Sequence, residues 1–165
     1  MSLAVQDGLS WAGCPWELDF FQRGPTDVHV AYNPPDVRIR VCDRTSGDPG
    51  WRSETHARLS ADGTVRLGAH GAPPALLLSP TGARLVPSVP GIDEIATMGA
   101  DDLLVLCSVC VLEHLPAGFT RLVDGSTPPQ GRDLLAALRH LTATGAGCAV
   151  VAKRRPLGAP TQETT

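Results

Sequence analysis

The residues of this sequence able to do metal, thiol or acid–base chemistry are few, and their spacing decides what each can be. Cys107-Ser-Val-Cys110 has the CxxC form of a zinc or redox pair. A structural zinc site needs a second pair of ligands, and the sequence holds neither a second CxxC nor an HxxxH. The flanks LLVLCSVCVLE read as a buried strand, which puts the two thiols on opposite faces as small buried hydrophobes. Asp93-Glu94 and Asp101-Asp102 are adjacent acidic pairs. Neighbours on a strand diverge, so these pairs are expected as solvated loop charges and not as chelating units. Ser108 lacks the Gly-x-Ser-x-Gly elbow of a nucleophile. His29, His56, His70, His114 and His140 can be drawn beside many groups, but no spacing marks any of them. Gly68-Ala-His-Gly71 runs into Ala-Pro-Pro, which cannot open a phosphate-binding helix. No cofactor is therefore expected.

The rest of the composition narrows the setting. With 165 residues the chain suits one domain, able to bury a core without disulfides. Thirteen Arg and one Lys against 17 acids give a net charge of -3, and no basic excess points to nucleic acid. No apolar run approaches a membrane span of ~18–20 residues. The opening MSLAVQDGLS has no charged leader, so the expected setting is cytoplasmic, where five cysteines remain thiols. Aromatics are 4%, which leaves the core to Leu, Val and Ala. Gly and Pro, 17 and 15 residues, argue against a helical bundle.

The elements that would position these groups are mostly short strands. Residues 1–15 are expected irregular. Trp16–Phe21, Asp27–Tyr32 and Asp36–Asp43 then follow as strands, the last with Val37, Ile39 and Val41 on one face and Arg38, Arg40 and Cys42 on the other. Thr55–Leu59 and Thr64–Gly68 flank the hairpin signal Asp62-Gly63. Ala75–Leu78 and Ala83–Val86 flank Pro80-Thr-Gly82. Leu103–Val111 suits a central strand, and Cys148–Ala152 a last one before a tail at 156–165. The spacing of Leu134, Leu135, Leu138 and Leu141 predicts one helix, Gln130–Thr144, stopped by Gly145. The expected class is α+β: a β-rich two-sheet sandwich over residues 16–155 with one helix near the C-terminus.

A longer-range pattern goes further. The run from Asp62-Gly-Thr-Val through Gly-Ala-His-Gly-Ala-Pro-Pro-Ala-Leu-Leu-Leu to Gly82 resembles the central hairpin of the PPM-type metal-dependent protein phosphatases, in the branch typified by stage II sporulation protein E. There the pattern is strand, Ala-Gly-His-Pro-Pro-Pro, strand, Asp-Gly turn. Gly99–Glu113 is similar to the family strand Gly-Asp-x-Leu-Leu-Leu-Tyr-Thr-Asp-Gly-Val-x-Glu, and Gly147–Arg154 to its closing strand. Order and spacing carry the likeness, over residues 54–113 above all.

That resemblance implies a truncated PPM fold and, in active relatives, two Mg or Mn ions whose bound hydroxide attacks phosphorus. Val109 stands where the family has a metal-binding Asp, and Cys110 replaces the next Gly. The opening Gly-Asp position is expected near Trp16, and the Gly-Asp-Val-x-Gly-His-Gly element at Asn33-Pro-Pro-Asp36. The closing Asp pair would fall at Ala146-Gly147, and the family histidine at Ala72. The expectation is an inactive domain with no catalytic residue and no metal. Asp36, Asp93, Glu94 and Glu113 are the ligands left should a rearranged enzyme exist. An unrelated β-rich structural module is the third possibility. Family members also carry a paired-helix segment before the Asp62-Gly63 hairpin, which is missing here. One sheet face should then be uncovered, with Val37, Ile39 and Val41 as the interface of a homodimer or of a protein partner. By analogy with the branch's partner-switching pathways, that partner would be a sigma-factor regulatory component in a bacterium.

Overall fold

The computed structural model describes residues 4–24, 26–43, 53–80, 82–89, 91–108 and 147–155. Among these residues eleven strands form two antiparallel sheets: β1 (Ala4–Ser10), β2 (Trp16–Arg23), β3 (Thr26–Asn33), β4 (Asp36–Asp43), β5 (Ser53–Leu59), β6 (Thr64–His70), β7 (Ala75–Ser79), β8 (Gly82–Val86), β9 (Glu94–Thr97), β10 (Leu103–Cys107) and β11 (Gly147–Arg154). The six-stranded sheet runs β1-β2-β11-β10-β7-β8, and the five-stranded sheet β3-β4-β5-β6-β9.

Alternation explains the layering. In β4 the odd positions Val37, Ile39 and Val41 turn inward and are almost fully buried, while Arg38 and Arg40 turn outward. They meet Ala57, Leu59, Val65 and Leu67 of their own sheet and Trp16, Leu18, Leu104, Leu106 and Val150 of the other in one core. Trp16 also donates its indole N–H to the Ser60 carbonyl at 3.0 Å, which ties β2 to the end of β5 in the opposite sheet. The six-stranded sheet is buried on both faces: Phe21, Leu103, Val105, Ala149 and Val151 lie on its far side and are 3% exposed or less. Its central strands therefore read as continuous apolar runs.

The Asp62-Gly63 hairpin forms as expected. Gly63 takes φ +92°, a conformation that favours glycine, and the Asp62 carboxylate accepts the Thr64 N–H at 2.8 Å.

Three expectations are corrected. Among the described residues every regular element is a strand and no helix is present, so the α+β class gives way to two antiparallel sheets. The period-two alternation of the strands governs the described architecture; Gln130–Thr144, whose leucine spacing suggested the helix, lies outside the described residues. Residues 4–10, expected irregular, form β1 by pairing with β2, from Ala4↔Gln22 to Ser10↔Glu17. Cross-strand hydrogen bonding there supplies an order that the local sequence does not signal. Val37, Ile39 and Val41 are 0, 0 and 2% exposed inside the sandwich, covered by the second sheet of the same chain, and so line no open face. The expectation of a homodimer through them loses its footing.

Candidate functional site

The exposed face of the five-stranded sheet is its charged side. Across β4, β5 and β6, Arg38 pairs with Arg58 and Arg58 with Arg66, so three arginines stand in one row. Like charges directly opposite repel, and acids relieve two of them. Asp36 accepts from Arg58 Nε at 2.7 Å, and Asp93 lies 3.4 Å from Arg66 Nε. The next row runs Arg40, His56, Gly68. Arg40 Nη2 donates to Glu54 Oε2 at 2.5 Å, and that bond holds the Glu54 carboxyl below the usual range and raises the guanidinium. Burial, then the Glu54 charge, pushes the Cys42 thiol up. Together Arg38, Arg40, Glu54, His56, Arg58, Arg66 and Asp93 line an open groove of about 410 Å³.

His56 and Asp93 of that groove, with His70, each offer one ligand atom, all within 4.8 Å of one another. The two imidazoles stack at 5.6 Å between centroids. Among the described residues this is the one such group, and sequence reasoning missed it. The signal was present for the histidines: counting outward from the Asp62-Gly63 turn puts His56 opposite Gly68 and His70 opposite Glu54. Asp93 reaches them only through the β6–β9 pairing, which no local pattern announces.

Among the described residues, the carboxylates expected as reserve metal ligands form no cluster with one another. Asp36 is buried and taken by Arg58. Glu94 accepts the Ser88 N–H at 2.7 Å and faces Arg84 at 3.2 Å, and these contacts hold its carboxyl below the usual range. Glu113 and Val109 lie outside the described residues. Trp16 is a core residue, and Ala72 sits in the loop between β6 and β7.

The residues at the expected position of the Gly-Asp-Val-x-Gly-His-Gly element form a turn. Asn33 and Asp36 pair across a tight turn from β3 directly into β4, so no connecting segment begins there. Thr26 pairs with Asp43, and Asp43 with Ser53, at one end of the sheet. At the end of β10, by contrast, the chain closes on itself without a charge. The Ser108 hydroxyl accepts the Cys148 N–H at 3.1 Å, and the Ser108 N–H donates to the Cys148 carbonyl at 3.0 Å, both residues being buried.

Solved structures agree with this architecture. The chain superposes on the PP2C phosphatase domain of SpoIIE from Bacillus subtilis with a TM-score of 0.65 at 10% identity, covering 85% of this chain and 62% of that one. The RsbU and RsbW domains of a Mycobacterium tuberculosis protein match with a TM-score of 0.62 at 16% identity, over 84% and 57% of the two chains. RsbX in complex with magnesium matches with 0.63 at 9% identity, over 93% and 100%. The chain thus spans less than two thirds of the first two chains. No family profile matches the sequence, and no curated protein does. The fold is that of the PPM-type protein phosphatases. Among the described residues no helix is long and apolar enough to cross a membrane.

Proposed function

We propose that this chain is a catalytically inactive, phosphatase-like regulatory domain that works by binding another protein in a bacterial signalling pathway. The observation that carries the reading is the distribution of carboxylates over the strand ends. A dinuclear centre needs hard oxygen ligands converging from several strands. By analogy with the family pattern, Asp27 on β3 and Asp43 at the end of β4 are the carboxylates that remain, while Val109 after β10 and Ala146-Gly147 before β11 supply none. Losing two strands' worth of anionic ligands removes the charge that would hold a cation pair and its hydroxide. The buried, uncharged closure of Ser108 on Cys148 supports the same reading.

Binding is assigned to the charged outer face. Arg40, Arg58 and Arg66 keep 49, 52 and 58% of their side chains exposed there. Ile95 continues the arginine row on β9 and is 64% exposed, and Ile92 and Val89 are more than half exposed in the preceding loop. Arginines beside exposed apolar side chains suit a protein partner with an acidic surface. By analogy with SpoIIE and RsbU, that partner is a sigma-factor regulatory component and the setting is the cytoplasm.

The retained Asp43 favours a second reading, an active phosphatase with rearranged ligands. Turnover of p-nitrophenyl phosphate by the full chain in manganese separates the two. The inactive reading expects no hydrolysis above background. An EDTA-sensitive rate abolished by Asp43→Asn would replace it with the active one.

A further inference from the structure

We propose that His56, His70 and Asp93 bind one first-row divalent transition ion, with zinc the best match, on the outer face of the five-stranded sheet. This site is separate from the strand ends where a phosphatase centre would lie, and it stands whether or not the chain is inactive.

The site is built around a missing side chain. His56 on β5 lies opposite Gly68 on β6, and Asp93 precedes the first residue of β9, whose Glu94 pairs with Leu67. Side chains two strands apart are ordinarily held about 9–10 Å from one another. Here His56 Nε2 lies 3.6 Å from Asp93 Oδ1, because Gly68 leaves the space between them empty. A Cβ at Gly68 would stand 2.3 Å from Asp93 Oδ1 and 2.5 Å from His56 Nε2. His70, two residues along β6 on the same face, closes the group from the third side.

The surrounding charges leave the donor atoms free. Asp93 turns Oδ2 to Arg66 and Oδ1 to His56. Glu54 divides itself likewise, with Oε2 on Arg40 and Oε1 3.7 Å from His56 Nδ1. That Nδ1 is buried and makes no hydrogen bond. Facing a carboxylate, it is placed to carry the proton while Nε2 keeps its lone pair for the ion, the usual support of a metal-binding histidine. Two imidazoles and one carboxylate select a borderline ion such as zinc over magnesium or manganese. Tetrahedral ligands at ~2.0–2.2 Å sit roughly 3.4 Å apart. The His56–Asp93 separation already fits, and the exposed His70 is the side chain that must close in. Three ligands leave a fourth position open for water or a partner's side chain.

Calorimetric titration of the full chain with zinc chloride tests the site. One ion per chain is expected, with binding lost in His70→Ala and in Asp93→Asn, unchanged in His29→Ala, and about tenfold weaker in Glu54→Gln. Cobalt(II) should give a visible spectrum without a thiolate charge-transfer band. Gly68→Ala should abolish binding while circular dichroism reports the fold. His70→Ala changes an exposed side chain and keeps the test decisive if Gly68→Ala does not fold. No binding by the native chain, binding indifferent to His70→Ala and Asp93→Asn, or a thiolate band would overturn the proposal.

Discussion

At the scale of single residues, burial separates chemistry from packing. The Cys107 thiol is pushed up to about 12 by desolvation, with the neighbouring Cys148 adding to the shift. The thiolate is the reactive form. Native protein at pH 8 should therefore leave Cys107 unmodified by a thiol reagent until denaturant is added, as peptide mapping would read; rapid labelling of Cys107 in the native chain would contradict its place in the core. Glu54 carries a different consequence. Its folded-state pKa is lowered by the Arg40 hydrogen bond, so the stability it contributes is fully present above the unfolded-state value of about 4.3 and lost as pH falls below it. Arg40→Ala should lower the melting temperature slightly at pH 7, since an exposed ion pair contributes at most about 1 kcal/mol, and leave it unchanged near pH 3, so that the fall between about pH 5 and pH 3 is flattened. A pH profile identical in the two proteins would show that this pair does not set the acid limb. The burial of Cys107 was legible because the flanks of the CxxC run are apolar. The histidine pair was hidden because its meaning depends on a glycine in another strand.

At the scale of elements, alternation was legible and pairing partners were not. β4 was readable to both ends, since Asp36–Asp43 alternates without a break. β9, four residues long, and β1 carry no such pattern and exist because a neighbouring strand offers hydrogen-bonding partners. The side of β4 that faces the second sheet was mistaken for an open interface, because the sequence does not say which layer covers which face. This yields a sharp test. Ile39 is fully buried, so Ile39→Asp places an unpaired charge in the core and should unfold the domain, at about 3–5 kcal/mol. A cooperative urea transition near the native midpoint would put Ile39 back on a surface.

At the scale of the whole molecule, the sandwich has one apolar interior and one strongly charged outer face. The row Arg38, Arg58, Arg66 ends at Ile95, and the groove there includes His56, on which His70 stacks. Arg38→Glu alters the exposed part of this row, so stability should move by less than about 0.5 kcal/mol while capture of an acidic partner weakens several-fold. Undiminished capture would place the docking surface elsewhere. The central claim, that the domain binds and does not hydrolyse, is tested most directly on a phosphorylated sigma-factor regulatory protein incubated with an equimolar amount of the full chain in manganese. Size-exclusion chromatography followed by intact mass spectrometry of the phosphoprotein reads both halves of the claim. The account predicts co-elution with the phosphate retained; release of the phosphate in a manganese-dependent manner would contradict it.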